Sequence, residues 1–244
     1  MNNIFLVTSA IHGANGMNGQ LTTQQRIDQT IETAHSIRAH IPDAKLYLLE
    51  GGKYPLDFAL RQHLMSEYDD IIDFTYHPFI TFAHNQVDLS KQVITVIKGP
   101  CESFMLREAC KLLTVSDEDR IYKISGRYRL SEEFNLETHL AAKGKYLMLT
   151  KTKCLEFYSY PQKLTYAEYQ YSTRFYSFCG SILNKATENY NIINKRLLDL
   201  YSKSEYMDLE HMTYLVYDQV DITEVNPIGL IGAFAEIPDM IIKE

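Results

Sequence analysis

Glycine and proline are scarce in this chain, 11 and 7 of 244 residues, which excludes collagen-like, linker and disordered architectures. A cationic excess is missing too. The 24 Lys and Arg stand against 31 Asp and Glu, a formal charge of −7, so the chain is not built mainly to hold a polyanion, although a local basic groove stays open. The four cysteines, Cys101, Cys110, Cys154 and Cys179, form no C-x-x-C pair and share no ligand spacing with histidine. That argues against a zinc cluster and for buried free thiols. Neither G-x-G-x-x-G nor G-x-x-x-x-G-K-[ST] occurs, which disfavours an ordinary NAD enzyme and a P-loop kinase. The opening run Ile4 to Val7 lacks the length of a signal peptide, and the apolar tail from Ile228 to Ile242 is broken by Glu236 and Asp239. The expectation is a chain without leader or membrane span, in a reducing cytoplasm.

What is present is 45% apolar residues, enough for one continuous core at this length. Ile4 to Ser9 reads as a buried parallel strand, followed by the Gly-rich stretch Gly13 to Gly19. Thr22-x-x-Gln25 is a capping box, and Ile27, Ile31, Ala34, Ile37 and Ile41 then recur at helical spacing until Pro42. Lys45 to Leu49 is the next strand, which completes a strand-helix-strand crossover. Leu56 to Met65 predicts a helix and Ile71 to Phe74 a strand. A helix over Asp88 to Lys98 is expected to end at Gly99-Pro100, with a new one from Cys101 to Leu113. Arg120 to Ser125, Tyr146 to Thr150 and Phe175 to Gly180 read as strands, and Ile182 to Ser202 and Asp208 to Tyr217 as helices. In such open sheets ligands bind at the carboxyl ends of the strands. That singles out Thr8-Ser9, Glu50-Gly51 and Ser125-Gly126-Arg127.

The segments Arg26 to Arg38, Ile41 to Ala44 and Leu48 to Glu50 resemble the opening of small nucleotide-sugar glycosyltransferases of the GT-A type. Tyr122-Lys123-Ile124-Ser125-Gly126-Arg127-Tyr128 is similar to a K-x-S-G-R-Y signature of some of those proteins, and Glu210-His211 with Glu224 to Gly232 to their C-terminal part. The resemblance implies a GT-A-like α/β fold with a mixed, mainly parallel sheet flanked by helices. It implies one domain over 1–244, with a nucleotide-sugar-binding half (1–130) and an acceptor-side half (131–244). It also implies a hexosyl- or pentosyltransferase using a nucleotide-sugar, of which a UDP-sugar is the first expectation. Metal-dependent members place Asp-x-Asp at the end of the fourth strand, where this chain has Ser125-Gly126-Arg127. Asp117-x-Asp119 precedes that strand and reads as a solvated turn. A divalent metal is therefore expected to be non-essential.

Roles follow residue by residue. Arg127 is expected to stabilise the departing diphosphate through its planar fork, the alternative being an ion pair with Glu132 or Glu133. Lys123, Ser125 and Gly126 would assist on the donor side, with Thr8, Ser9 and Glu50 around the nucleoside. The alternative for Glu50 is an exposed turn carboxylate. Glu210 or His211 would supply the base for an acceptor hydroxyl, a hydrogen-bonded structural histidine being the alternative. Arg107 faces the donor or packs on the surface, and the start of the helix at Cys101 offers N–H groups to phosphate or is a plain helix start. Tyr158, Tyr160, Tyr166, Tyr169, Tyr171 and Tyr176 would line an acceptor or belong to a strand. A surface glycan is the first acceptor expected and a modified DNA base the second. A non-catalytic nucleotide-sugar-binding protein and a nucleotidyltransferase remain as alternative functions.

Overall fold

Short apolar runs bounded by polar turns become strands where the sequence predicts them: β1 (Asn3–Ser9), β2 (Lys45–Glu50), β3 (Asp70–Asp73) and β4 (Arg120–Ser125). The computed structural model describes residues 1–13, 21–85, 94–153, 167–203, 205, 207–234 and 237–244, with the backbone alone at 94–97, 233–234 and 237–240. The Gly-rich stretch after Gly13, Cys154, Tyr158, Tyr160 and Tyr166 lie outside the described residues. Helix α1 (Thr23–His40) opens with the expected box, Gln25 N–H donating to Thr22 Oγ1 at 3.2 Å and Thr22 N–H to Gln25 Oε1 at 2.8 Å. Helix α2 (Phe58–Met65) starts from an Asp57 cap, and α3 (Pro78–Asn85) is a short helix that the sequence reading did not separate.

The predicted break at Gly99-Pro100 does not occur, because α4 (Ile94–Leu112) runs through it. Proline removes one helical hydrogen bond and costs several kcal/mol in an isolated helix, so packing must override propensity. It does so against α6 (Leu183–Ser202): Asn194 Nδ2 donates to the Pro100 carbonyl at 2.8 Å, and a Cβ on Gly99 would come within 3.2 Å of Leu197. With no helix start at Cys101, the expected phosphate contact at Cys101 N–H is lost.

The second half adds β5 (Tyr128–Leu130), α5 (Leu136–Ala141), β6 (Tyr146–Leu149), β7 (Thr152–Lys153), β8 (Tyr169–Gln170) and β9 (Phe175–Cys179). After α6 come α7 (Leu209–Val216), β10 (Ile222–Val225), β11 (Leu230–Phe234) and β12 (Ile237–Lys243). The central sheet has the order β10-β6-β9-β4-β1-β2-β3, so both halves of the chain share it. Strands β4, β1, β2 and β3 are parallel, and β9 is antiparallel between β4 and β6. A small antiparallel sheet, β12-β11-β5, continues from the end of β4.

Side chains alternate across the sheet. Phe5, Val7, Leu46, Leu48, Tyr122 and Ile124 pack with α1 and α2, while Ile4, Leu6, Ile121, Tyr146 and Phe178 pack with α3, α4, α6 and α7. Cys101, Cys110 and Cys179 are buried free thiols, as expected. No helix among the described residues is long and apolar enough to cross a membrane.

Candidate active site at the end of β1 and β4

The chain leaves β1 toward β2 and β3, then returns to β4 on the other side of β1. This reversal is the topological switch point at which open α/β sheets bind ligands. An open cavity lies there, and Thr8, Ser9, Ser125, Gly126 and Arg127 all line it, five of the expected site residues together. Ala10 and Gly51 follow β1 and β2, and the other walls come from helices: Arg26 and Thr30 on α1, His84 on α3, and Lys98, Cys101, Glu102 and Met105 on α4.

Local structure explains how Arg127 reaches this cavity. Gly126 N–H donates to the Thr8 carbonyl at 2.8 Å, and the Thr30 and Thr33 hydroxyls donate to the carbonyls of Gly126 (3.3 Å) and Tyr128 (2.7 Å). The turn is thereby sewn to β1 and α1. A Cβ at Gly126 would meet Thr30 Oγ1 and the Thr8 carbonyl at 3.3 Å, so the close approach favours glycine. Arg127 lies half-buried over the Tyr128 ring, and among the described residues it makes no ion pair. The alternative pairing with Glu132 or Glu133 is not formed.

Arg26 is the main residue that the sequence reading missed. It sits on the buried face of α1, donates to the Ala10 carbonyl at 2.9 Å and faces the same cavity. Burial, then the nearby Arg127 charge, pull its guanidinium down to about 10, against the favourable charge of Glu50. Two guanidinium groups near one cavity repel each other, and an anion between them relieves that repulsion.

Glu50 is fully buried and does not line the cavity. Its Oε1 accepts from Ile11 N–H at 3.0 Å and Gly52 N–H at 2.8 Å, so it fastens the loop after β1 to the loop after β2. Burial lifts its carboxyl to about 7 against these bonds and the Ser9 hydroxyl. The reading of Glu50 as an exposed turn carboxylate is thus corrected.

Lys123 also lies beneath the cavity rather than in its lining. The alternation of β4 turns it toward α4, where its ammonium pairs with Glu102, donates to Ser125 Oγ at 2.8 Å and donates to the Thr173 carbonyl. All three of its N–H donors are engaged. Thr173 passes the network on, its hydroxyl donating to Glu210 Oε1 at 2.8 Å. Burial, then Asp208 and Glu102, raise the Glu210 carboxyl above its ordinary value.

His211 packs beside it on α7. Burial works to lower its pKa, but pairing with Asp208 outweighs that and raises it. Neither Glu210 nor His211 lines the cavity. Arg107 packs outward on Phe104 and pairs with Glu108 at 2.7 Å. Tyr171 and Tyr176 are core residues, the Tyr171 hydroxyl donating to Glu224 at 2.8 Å and the Tyr176 hydroxyl meeting that of Tyr190 at 2.7 Å.

Asp117-x-Asp119 is at the opposite end of β4, and Asp119 is buried, not solvated: it accepts from Asn2 N–H at 2.6 Å and Ser116 N–H at 2.8 Å. Among the described residues no group of three His, Cys, Asp or Glu stands together as a metal site. Among the described residues one carboxylate, Glu102, lines the cavity, with Arg26, Lys98 and Arg127. Those described donors do not by themselves fit a divalent cation, which needs several oxygen ligands.

No family model and no curated protein matches the chain. Solved structures similar to it include core-mannan synthase A from Aspergillus fumigatus in its Mn/GDP form, with TM-score 0.58 and 6% identity over 98% of this chain and 77% of that one. Another is the mannosyltransferase Ktr4p from S. cerevisiae in complex with GDP, at TM-score 0.56 and 9% identity over 94% and 70%. A third is an active-site mutant of LgtC, at TM-score 0.52 and 12% identity over 93% and 73%. The chain therefore has the GT-A glycosyltransferase fold, a mixed α/β architecture with a mainly parallel sheet flanked by helices.

Proposed function

We propose that this protein is a glycosyltransferase that moves a sugar from a nucleoside-diphosphate donor to a hydroxyl of a glycan acceptor. The observation that carries the reading is the placement of Arg26 and Arg127 at the switch-point cavity, beside the strand-end hydroxyls of Thr8, Ser9 and Ser125. Two of the similar structures hold GDP, which supports a nucleoside diphosphate here and makes GDP-sugars as well as UDP-sugars the donors to try.

In the transfer, the bond from the anomeric carbon to the diphosphate breaks and a bond to the acceptor oxygen forms, with positive charge building on the sugar ring. The electron pair leaves with the diphosphate. Arg127 and Arg26 meet that developing charge with preorganised donors, and Gly126 keeps the backbone open to the phosphates. Thr8, Ser9 and Ser125 orient the donor, Glu50 fixes the loops that hold it, and Lys123 supports Ser125 from below.

The acceptor proton goes to Glu210, whose carboxyl burial raises above its ordinary value and so makes more basic than an exposed carboxylate. His211 is committed to Asp208 and is the second choice. Calorimetry with GDP, UDP and their sugars, with and without excess chelator, tests the reading, together with release of nucleoside diphosphate. Glu210→Gln should cut turnover at least about tenfold while donor affinity stays within about threefold, under ~1 kcal/mol. Absence of nucleotide binding would sink the proposal, and wild-type turnover in Glu210→Gln would remove that residue from it.

A further inference from the structure

Among the described residues Glu102 is the acidic group of a cavity that also carries Arg26, Lys98, Arg127 and the hydroxyls of Thr8, Ser9, Thr30 and Ser125, and its side chain is held in place. Its Oε1 accepts from the Lys123 ammonium and from the Thr8 hydroxyl at 3.2 Å. Among the described residues Oε2 has no hydrogen-bond partner, and the side chain is 24% exposed at the cavity wall. An acceptor-only group of this kind repels phosphate and takes O–H or N–H donors. Resting on the proposed nucleotide-sugar reading, we propose that Glu102 recognises hydroxyl groups of the sugar being transferred, and that Lys123 is the positioning residue that holds it for that purpose.

The geometry favours the sugar over the nucleoside. Arg26 and Arg127 line the cavity from α1 and the end of β4 and Glu102 lines it from α4, so a ligand whose phosphates meet the guanidinium groups has its hydroxyl-bearing part left for the carboxylate. Glu102 stands on the side of the sheet that leads through Lys123 and Thr173 to Glu210, the proposed acceptor base. The nucleoside would lie the other way, toward Gly51 at the end of β2. A charge-assisted hydrogen bond from a sugar hydroxyl to Oε2 is enough for about a tenfold difference in affinity.

The test compares GDP with GDP-mannose, and UDP with UDP-glucose, by calorimetry on the wild type and on Glu102→Gln. The wild type should bind the sugar-bearing member of the active pair more tightly than the bare diphosphate. In Glu102→Gln that gain should fall about tenfold, with the bare diphosphate bound within about threefold of wild type. The double variant Glu102→Gln/Lys123→Met removes both members of the ion pair together, and should lose the same gain even if the single variant, with its altered ion pair, does not fold. If the sugar adds no affinity to the wild type, or if a variant loses bare diphosphate and sugar nucleotide alike, Glu102 does not read the sugar. If no diphosphate binds the wild type at all, the nucleotide-sugar reading itself fails.

Discussion

The two ends of β4 carry similar chemistry and put it to opposite uses. At the start of the strand Asp119 and Arg120 are both buried. Asp119 is saturated by Asn2 and Ser116, while Arg120 donates to Ser177 Oγ at 2.9 Å and the Ala142 carbonyl at 2.7 Å. Ser177 in turn meets His139 Nδ1 at 2.7 Å, and burial drives that imidazole down to about 3, so it stays neutral. Polar groups there close the sheet. At the other end Arg127 and the Oε2 of Glu102 have no such partners among the described residues. Residue type alone does not separate a site from a structural network, and neither does an unpaired atom, since Arg120 Nη2 is itself buried without a partner; what separates them is whether the unspent groups are open to a ligand, as Arg127 and Glu102 are and Arg120 is not.

That contrast breaks most sharply at Arg127. Arg127→Ala should lower turnover by about 10²-fold or more, the scale of losing one preorganised electrostatic group, and Arg127→Lys should recover only part, since a point charge lacks the fork. Both should melt like the wild type. Turnover abolished by chelator and restored by manganese, with Arg127→Ala near wild type, would assign the diphosphate to a metal instead. Arg120→Met should do the reverse. It strips donors from Ser177 and the Ala142 carbonyl, and about 2 kcal/mol of unfolding free energy should go with them. Donor affinity per folded molecule should not change. A loss of binding without a loss of stability would mean that the two ends of β4 are coupled.

The sheet half of this contrast was legible in the sequence, the helical half was not. Strands β1 to β3 have short apolar runs with polar exits, and β4 breaks its run only at Lys123, so their carboxyl ends, and with them Thr8, Ser9, Ser125 and Arg127, could be read by counting. Lys123 could have been placed by the same counting, because strand alternation puts it on the opposite face from Tyr122 and Ile124. Arg26 and Glu102 carry no local marker. Their signal is periodic: Arg26, Thr30 and Thr33 interrupt the apolar stripe of α1 on its buried face, and Lys98, Cys101, Glu102 and Met105 fall on one face of α4. The second of these was hidden by the expected break at Gly99-Pro100, a local rule that packing against α6 overrules.

A dependence on pH sharpens the comparison by sign. Burial holds the Glu50 carboxyl at about 7 against an ordinary 4.5, so between those values the folded protein keeps a proton that the unfolded chain has released. Stability from this group is therefore fully present below about 4.5 and lost as pH rises through about 7. Asp119 behaves oppositely. Burial works to raise it, but hydrogen bonds from Ser116 and Asn2 prevail and hold it below its ordinary 3.8, so its contribution is present above that value and lost as pH falls through the folded one. Glu50→Gln should thus gain on the wild type as pH climbs from 5 to 8 in urea melts, by at most about 3 kcal/mol. Asp119→Asn should trail the wild type at neutral pH and converge with it only in acid. Melting curves in which Glu50→Gln tracks the wild type at constant offset from pH 5 to 8 would mean that this carboxylate is already ionised in the fold, its attraction to Arg26 offsetting its burial.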